Sequence, residues 1–157
     1  PPFISQNFGA AKFDRVAMAY KTTLKFILIW QFALYLLLIV FSGVIANIFA
    51  SSEGVVSVIK LFIWILPLGY GLQGVIILSN SSFNALHKPM NALLMSVIRL
   101  FVFYVPLAYL GSLYWGIHGL FIGALIGNVF TAIISYRWFC QTLQSIEINE
   151  QIKVCEA

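Results

Sequence analysis

The sequence predicts an all-α protein, a polytopic transmembrane helical bundle with four full spans and an N-terminal helix remnant. Apolar runs cover residues 24–49, 55–83, 89–113 and 116–136, and a helix needs only about 20 residues to cross the hydrocarbon layer. The runs do not alternate apolar and polar residues, as the strands of a membrane barrel do. Hydrophobic residues make up 61% of the chain and charged residues 9%, against roughly a quarter charged in soluble domains.

The runs divide the chain into three parts. Residues 1–21 are expected to contain the end of a truncated transmembrane helix, a turn at Gly9 and a cytoplasmic interfacial loop. Residues 22–140 form the four-span transmembrane bundle, and residues 141–157 form a polar cytoplasmic tail. The first residue is Pro and no signal-peptide pattern precedes the first run, so we expect the C-terminal part of a longer chain.

Basic residues between the runs predict the orientation. Lysines and arginines precede the first run, Lys88 lies between the second and third, and Arg137 follows the fourth, whereas the break at 111–118 carries neither type. Because cytoplasmic loops are enriched in Lys and Arg, these ends are assigned to the cytoplasm. The sequence therefore predicts a multi-pass protein of the cell (inner) membrane with a cytoplasmic C-terminus and membrane lipids as its surroundings.

Composition and spacing exclude several classes of function. The net charge of +4 is spread beside the apolar runs, which indicates membrane topology and not a nucleic-acid surface. Cys140 and Cys155 form no closely spaced framework, and His87 and His118 lie in opposite loops, so no metal site is predicted. No nucleophile–base arrangement is present. We therefore predict no catalytic residues, no cofactor and no enzyme activity.

The second run contains a segment that predicts a bend in its helix. Pro67 removes a helix hydrogen bond, and Gly69, Gly71 and Gly74 follow it. The three glycines match the G-x-G-x-x-G dinucleotide fingerprint, but no acid lies about 20 residues further on and the segment is apolar, so the match is a coincidence. Transporters place interrupted helices near their binding sites. A static kink that serves packing is the alternative.

Polar side chains recur along the same run. Gln73 and Asn80 are expected to face a hydrated substrate cavity, because polar groups in a membrane face protein or water. Tyr70 is expected beside them, where its ring face suits a cationic ligand. Hydrogen bonding between helices is the alternative interpretation.

The third and fourth runs carry packing signals. Gly119, Gly123 and Gly127 recur every four residues, which places them on one helix face and lets a neighbouring backbone approach closely. Pro106 is expected to kink the third span. Arg99 lies about ten residues into that span and needs a partner, water or a path to the interface. None of the four runs contains Asp or Glu.

Several segments together resemble the multidrug and toxic compound extrusion (MATE) transporters. The stretch from Pro2 to Ala10 and the later Asp14 and Arg15 are similar to the end of that family's eighth helix. The stretch from Phe83 to Pro89 is similar to its loop between helices ten and eleven, and the resemblance continues at Arg99, Pro106–Ala108 and Gly116–Gly119. The residues that carry the family motif are Gln6, Asn7, Gly9, Ala10, Arg15 and Arg99.

The resemblance implies the C-terminal part of a twelve-helix secondary transporter, from the end of helix eight through helix twelve. Such proteins export small organic cations in exchange for H⁺ or Na⁺, and the partner of this chain would be the remaining N-terminal part of the same transporter. Some branches carry a cation-binding acid in the tenth helix, but residues 68–75 contain none and Gly71 stands near that place. Coupling would then use an acid in the other half, or the substrate and coupling differ. A lipid-linked oligosaccharide flippase of related fold and a non-transporting membrane scaffold subunit are the alternatives.

Overall fold

The computed structural model describes residues 2–49 and 52–156, with only the backbone for residue 150 and residues 153–156. Residues 50 and 51, between the first and second apolar runs, and the thiol of Cys155 therefore lie outside the described part. The described helices are α1 (Pro2–Gly9), α2 (Phe13–Phe49), α3 (Glu53–Ala85), α4 (Pro89–Val97), a π-helical segment (Ile98–Tyr104) and α5 (Val105–Glu156). Three stretches are long and apolar enough to cross a membrane, namely Phe13–Phe49, Glu53–Ala85 and Pro89–Asn149. The predicted all-α membrane bundle is confirmed.

The third of these stretches crosses twice because α5 reverses direction near its start. Trp115 (φ −132°, ψ 18°) and Gly116 (φ 58°, ψ −136°) have non-helical backbone angles. The angles of Gly116 lie in a region that is open essentially to glycine alone. Residues 105–114 therefore extend the third span, and the residues after Gly116 form the fourth, as the apolar runs predict.

The two arms of this hairpin touch through their backbones. The facing pairs are Gly111 with Gly119, Leu107 with Gly123, and Phe103 with Gly127. A Cβ atom on Gly119 or Gly123 would overlap the carbonyl group opposite, and one on Gly127 would lie 3.1 Å from the carbonyl oxygen opposite. From pair to pair, the residue numbers fall along one arm and rise along the other, so the two arms are antiparallel. The glycines at four-residue spacing thus lie where one backbone meets the next.

The irregular part of the third span lies just before Pro106. Residues Ile98–Tyr104 are π-helical, and the N–H of Val105 donates to the carbonyl of Leu100. In an α-helix the Pro106 ring would clash with the carbonyl four residues earlier and leave it without a donor. The wider π turn moves that carbonyl away, which is a known response of helices to such an obstacle.

The bundle is packed most tightly at the end that carries the basic residues. Tyr20, Phe83 and Phe139 are buried there. The rings of Tyr20 and Phe139 stack at 4.1 Å between centroids, and the Tyr20 hydroxyl hydrogen-bonds Ser79 Oγ at 2.7 Å. Leu143 belongs to the same cluster. The first turns after the fourth span therefore pack on the core, although the sequence assigned residues 141–157 to a tail.

Two matching turns connect helices at this end. Each has a left-handed residue that is not glycine, Ala11 (φ 53°) after α1 and His87 (φ 56°) after α3. Lys12 N–H donates to the Asn7 carbonyl and Lys88 N–H to the Phe83 carbonyl, both at 2.9 Å. These are Schellman turns, which satisfy the last carbonyls of a helix. The turn predicted at Gly9 therefore lies two residues later. Residues 13–21 are the first turns of α2 and not a separate loop.

Gly123→Ala should destabilise the hairpin, because the added methyl group would meet the Leu107 carbonyl. Forced overpacking typically costs about 1–3 kcal/mol, so the thermal midpoint of the full-length protein in detergent should fall by several degrees. Gly43→Ala in α2 is the matched control. Nothing lies within 4 Å of its Cβ position, so it should raise stability by roughly 0.5–1 kcal/mol. A lower midpoint for Gly43→Ala than for Gly123→Ala would contradict the hairpin packing.

His87→Gly should stabilise the protein, because a left-handed conformation costs a residue with a side chain roughly 1–2 kcal/mol. The loss of the Phe8–His87 ring contact, with centroids 6.1 Å apart, offsets part of that gain. The thermal midpoint in detergent should therefore rise by a few degrees. A fall in the midpoint would show that the ring contact outweighs the backbone strain.

Candidate functional site

The predicted cavity residues lie on one face of α3. At about 100° per residue, Tyr70, Gln73 and Asn80 fall within an arc of about 80°. The described helices leave this face open, since Tyr70 is 47% exposed and Gln73 and Asn80 are only partly buried. Gln73 lies about 16 Å along the helix axis from Asn84 near the end of α3. A polar stripe therefore runs from the middle of the membrane towards the basic end.

A groove of about 540 Å³ lies between this face and α4. Its lining residues are Asn80, Asn84, Pro89, Ala92, Leu93, Ser96, Val97, Leu100 and Phe101. Asn80 Nδ2 donates to Ser96 Oγ at 3.0 Å, and the Ser96 hydroxyl donates to the Ala92 carbonyl at 3.0 Å. Asn80 Oδ1 is buried without a hydrogen-bond partner among the described residues. The groove thus has a polar wall from α3 and a mostly apolar wall from α4 and the π-helical segment.

Ser96 and Phe101 were not singled out from the sequence. Ser96 is a lone hydroxyl in an apolar run, and such residues commonly bond the carbonyl four residues earlier in their own helix. Its contact with Asn80, 16 positions away in the chain, follows from how the α3–α4 turn folds back. The sequence contains no local signal for that pairing.

The glycine segment of α3 lies at two helix contacts. Helix α3 is continuous through Pro67. Cβ atoms on Gly71 and Gly74 would lie 3.0 Å from Gln31 Cγ and 2.7 Å from Ile27 Cγ2 of α2. A Cβ on Gly69 would lie 3.5 Å from Leu125 and Asn128 of α5. These glycines let α2 and α5 approach α3 closely, and the bend expected here stays a prediction.

Two α2 side chains bond the α3 backbone beside Pro67. Gln31 Nε2 donates to the Pro67 carbonyl at 2.9 Å, and the Tyr35 hydroxyl donates to the Trp64 carbonyl at 3.0 Å. Proline removes the donor of the carbonyl four residues earlier, here that of Ile63, so these two bonds flank the lost one and connect α2 to α3. The sequence signal, two polar residues four apart in an apolar run, was missed. They line a separate, mostly apolar pocket of about 290 Å³.

The family-motif residues are divided between two places. Gln6, Asn7, Gly9 and Ala10 build the end of α1 and its Schellman turn, and Arg15 lies exposed in the first turn of α2. Arg99 lies partly buried in the π-helical segment. The structure therefore does not bring Arg15 and Arg99 to the α3 face as one site. No group of three potential metal ligands occurs among the described residues.

Comparisons with known proteins match most of this chain. The MatE family model matches residues 1–110. A FAD transporter of Shewanella oneidensis is 37% identical over 135 residues, which are 86% of this chain and 30% of that protein. The crystal structure of the Vibrio cholerae MATE transporter VcmN in its bent form is 34% identical, with a TM-score of 0.87, over 92% of this chain and 33% of that one.

An inward-facing multidrug resistance MATE family transporter is 20% identical, with a TM-score of 0.85, over 93% of this chain and 34% of that one. At this identity the match shows a similar fold alone. The chain thus spans about a third of the length of the relatives it matches. The resemblance seen in the sequence is confirmed, and so is the prediction of no enzyme activity. This chain, with its bundle of four membrane-spanning helices, therefore belongs to the MatE family of membrane transporters.

Proposed function

We propose that this chain forms part of a secondary active transporter that exports bulky organic solutes against a H⁺ or Na⁺ gradient. The observation that carries the proposal is the open polar face of α3. This face presents Tyr70 and Gln73 away from the α2 and α5 contacts of α3, and Asn80 beside α4, where it donates to Ser96. Such a face is costly in contact with acyl chains and is suited to a water-filled cavity. Family membership favours transport over a non-transporting scaffold.

Small organic cations are the first candidate substrates. The exposed Tyr70 ring offers a cation–π surface, and Gln73 offers a neutral hydrogen-bonding group beside it. The apolar runs contain no Asp or Glu, so the acid that binds the coupling ion would lie in the remaining part of the transporter. The same absence is a reason to consider other substrates.

A flavin dinucleotide is the second candidate. The Shewanella oneidensis relative is named a FAD transporter, and the second and third runs contain basic residues, Lys60 and Arg99, without an acid. Guanidinium and ammonium groups are the usual partners of phosphate. Basic residues without carboxylates in these runs are therefore the reason to test an anionic substrate beside a cationic one.

The orientation in the membrane follows from the positions of the charges. The Phe8–His87 and Tyr20–Phe139 contacts bring the α1–α2 turn, the α3–α4 turn and the end of the fourth span to one end of the bundle. Lys12, Arg15, Lys88 and Arg137 lie at that end. The positive-inside rule then supports a cytoplasmic location for this end and for the C-terminus, in the cell membrane.

Transport by the full-length protein in proteoliposomes tests the proposal, with ethidium and FAD as solutes and an imposed H⁺ or Na⁺ gradient. Tyr70→Ala should lower ethidium transport about two- to fivefold, because an exposed cation–π contact is worth about 0.5–1 kcal/mol. Trp64→Ala, another exposed aromatic of α3 at about 120° from Tyr70, should change it little. Gradient-driven movement of FAD alone would select the second candidate. If neither solute moves under either gradient, the proposed function is wrong.

A further inference from the structure

The α3–α4 groove exposes one polar contact between its two walls, the hydrogen bond from Asn80 Nδ2 to Ser96 Oγ. The Ser96 hydroxyl has one hydrogen, and the Ala92 carbonyl accepts it at 3.0 Å. Ser96 Oγ therefore accepts from Asn80, so the amide atom 3.0 Å away is the NH₂ nitrogen. The amide oxygen is turned inward, since Asn80 Oδ1 is buried. The exposed end of this amide is thus its nitrogen.

Both atoms of the exposed contact have hydrogen-bonding capacity left. An amide nitrogen has two hydrogens and a hydroxyl oxygen has two lone pairs, and the contact uses one of each. Among the described residues, Asn80 Nδ2 donates to no second acceptor and Ser96 Oγ accepts from no second donor. A spare donor and a spare acceptor therefore lie 3.0 Å apart in the groove.

The edge of a lactam is complementary to such a pair. A ring holds the lactam amide in the cis form, so its carbonyl oxygen and its N–H group lie side by side and point the same way. The carbonyl then accepts from Asn80 Nδ2 while the N–H donates to Ser96 Oγ. A ligand with only one of these groups leaves either the donor or the acceptor unused.

The rest of the groove limits the charge and shape of the ligand. None of the described residues that line it carries a charged side chain, and a charged group without a counter-charge is expensive to remove from water. Leu93, Leu100 and Phe101 line it from the α4 side and are exposed. A flat aromatic ring packs well against such apolar side chains. The volume of about 540 Å³ is typical of sites for drug-sized molecules.

We propose that the α3–α4 groove binds the lactam edge of an uncharged aromatic ring, alone or as part of a larger solute. Asn80 recognises the ring carbonyl and Ser96 recognises the ring N–H, so the two residues determine specificity together. The inference rests on the transport function proposed above, because the groove continues the polar face of α3. It names a substrate class for that face.

Two ligands that differ in one hydrogen-bond donor test the proposal. Phenanthridinone is a neutral three-ring lactam, and N-methylphenanthridinone carries a methyl group in place of the lactam hydrogen. Binding to the full-length protein in detergent is measured by the change in ligand fluorescence. The wild-type protein should bind phenanthridinone about fivefold more tightly than the methylated compound, since the bond to Ser96 Oγ is lost.

The two residues should have different effects on these affinities. Ser96→Ala should reduce the fivefold preference to about one, because the acceptor of the lactam N–H is gone. Asn80→Leu should weaken the binding of both compounds about fivefold, because both contain the carbonyl that Asn80 recognises, and the preference should remain. All proteins are measured in the same detergent, so partition of the ligands into micelles cancels in the comparison.

Asn91→Leu is the matched control, since Asn91 lies on α4 outside the groove lining, and it should keep the wild-type affinities. The thermal midpoint of each variant reports folding, and Asn80→Ala serves if Asn80→Leu does not fold.

Equal affinity of the wild-type protein for the two compounds, or no binding of either, would overturn the proposal. A preference that survives in Ser96→Ala, or wild-type affinities in Asn80→Leu, would also overturn it. The proteoliposome assay is separate. A lactam preference that depends on Ser96, in a protein that moves no solute, would leave the groove assignment standing and contradict the transport function.

Discussion

The structure depends most on the requirement that backbone polar groups in hydrocarbon are satisfied within the protein. Several irregular places in the described helices show how the chain meets it. The Schellman turns after α1 and α3 satisfy carbonyls at helix ends. The π-helical segment before Pro106 accommodates the missing N–H, and Gln31 and Tyr35 donate to carbonyls around Pro67. Helix ends and Pro106 are thereby accommodated within long apolar segments.

Close helix packing at glycines explains how the bundle leaves one face of α3 free. Helix α2 packs against Gly71 and Gly74, and α5 packs against Gly69, so two sides of α3 are covered closely. The third and fourth spans form a hairpin through glycine backbones, and that hairpin approaches α3 from the α4 side and the α5 side. Tyr70 and Gln73 remain on the uncovered side. Close packing elsewhere is therefore what presents the polar stripe that the proposed function uses.

The sequence was sufficient for the parts of the structure that depend on periodicity and composition. Run length and the absence of alternation predict four helical passes, and the glycines at four-residue spacing lie at a backbone contact of the fourth span. The turn after α1 was placed at Gly9 because glycine is the usual left-handed residue, but Ala11 adopts that conformation, held by the Lys12–Asn7 bond. Gly9 instead lies in the last turn of α1, and the residue types around it do not show where the helix ends.

Pairings between helices could not be predicted either. Gln31 with Pro67 and Asn80 with Ser96 join residues of different helices, and the rotation of each helix about its axis decides which polar groups meet. A single sequence shows that Gln31 and Ser96 are polar in apolar surroundings. It does not show their partners. The helix after the fourth span looked like a tail because it is polar overall, although Phe139 and Leu143 are buried.

Water accessibility along α3 in the full-length protein tests the central claim most directly, namely that one side of this helix faces water and another faces lipid. Single cysteines are placed at Gln73 and Leu68, with all native cysteines replaced by serine, and are exposed to a charged, water-soluble thiol reagent in membranes. Leu68 is 44% exposed but lies on a different face from Gln73. The account predicts labelling at position 73 and none at position 68. Labelling at 68 with protection at 73, or equal labelling at both, would contradict it.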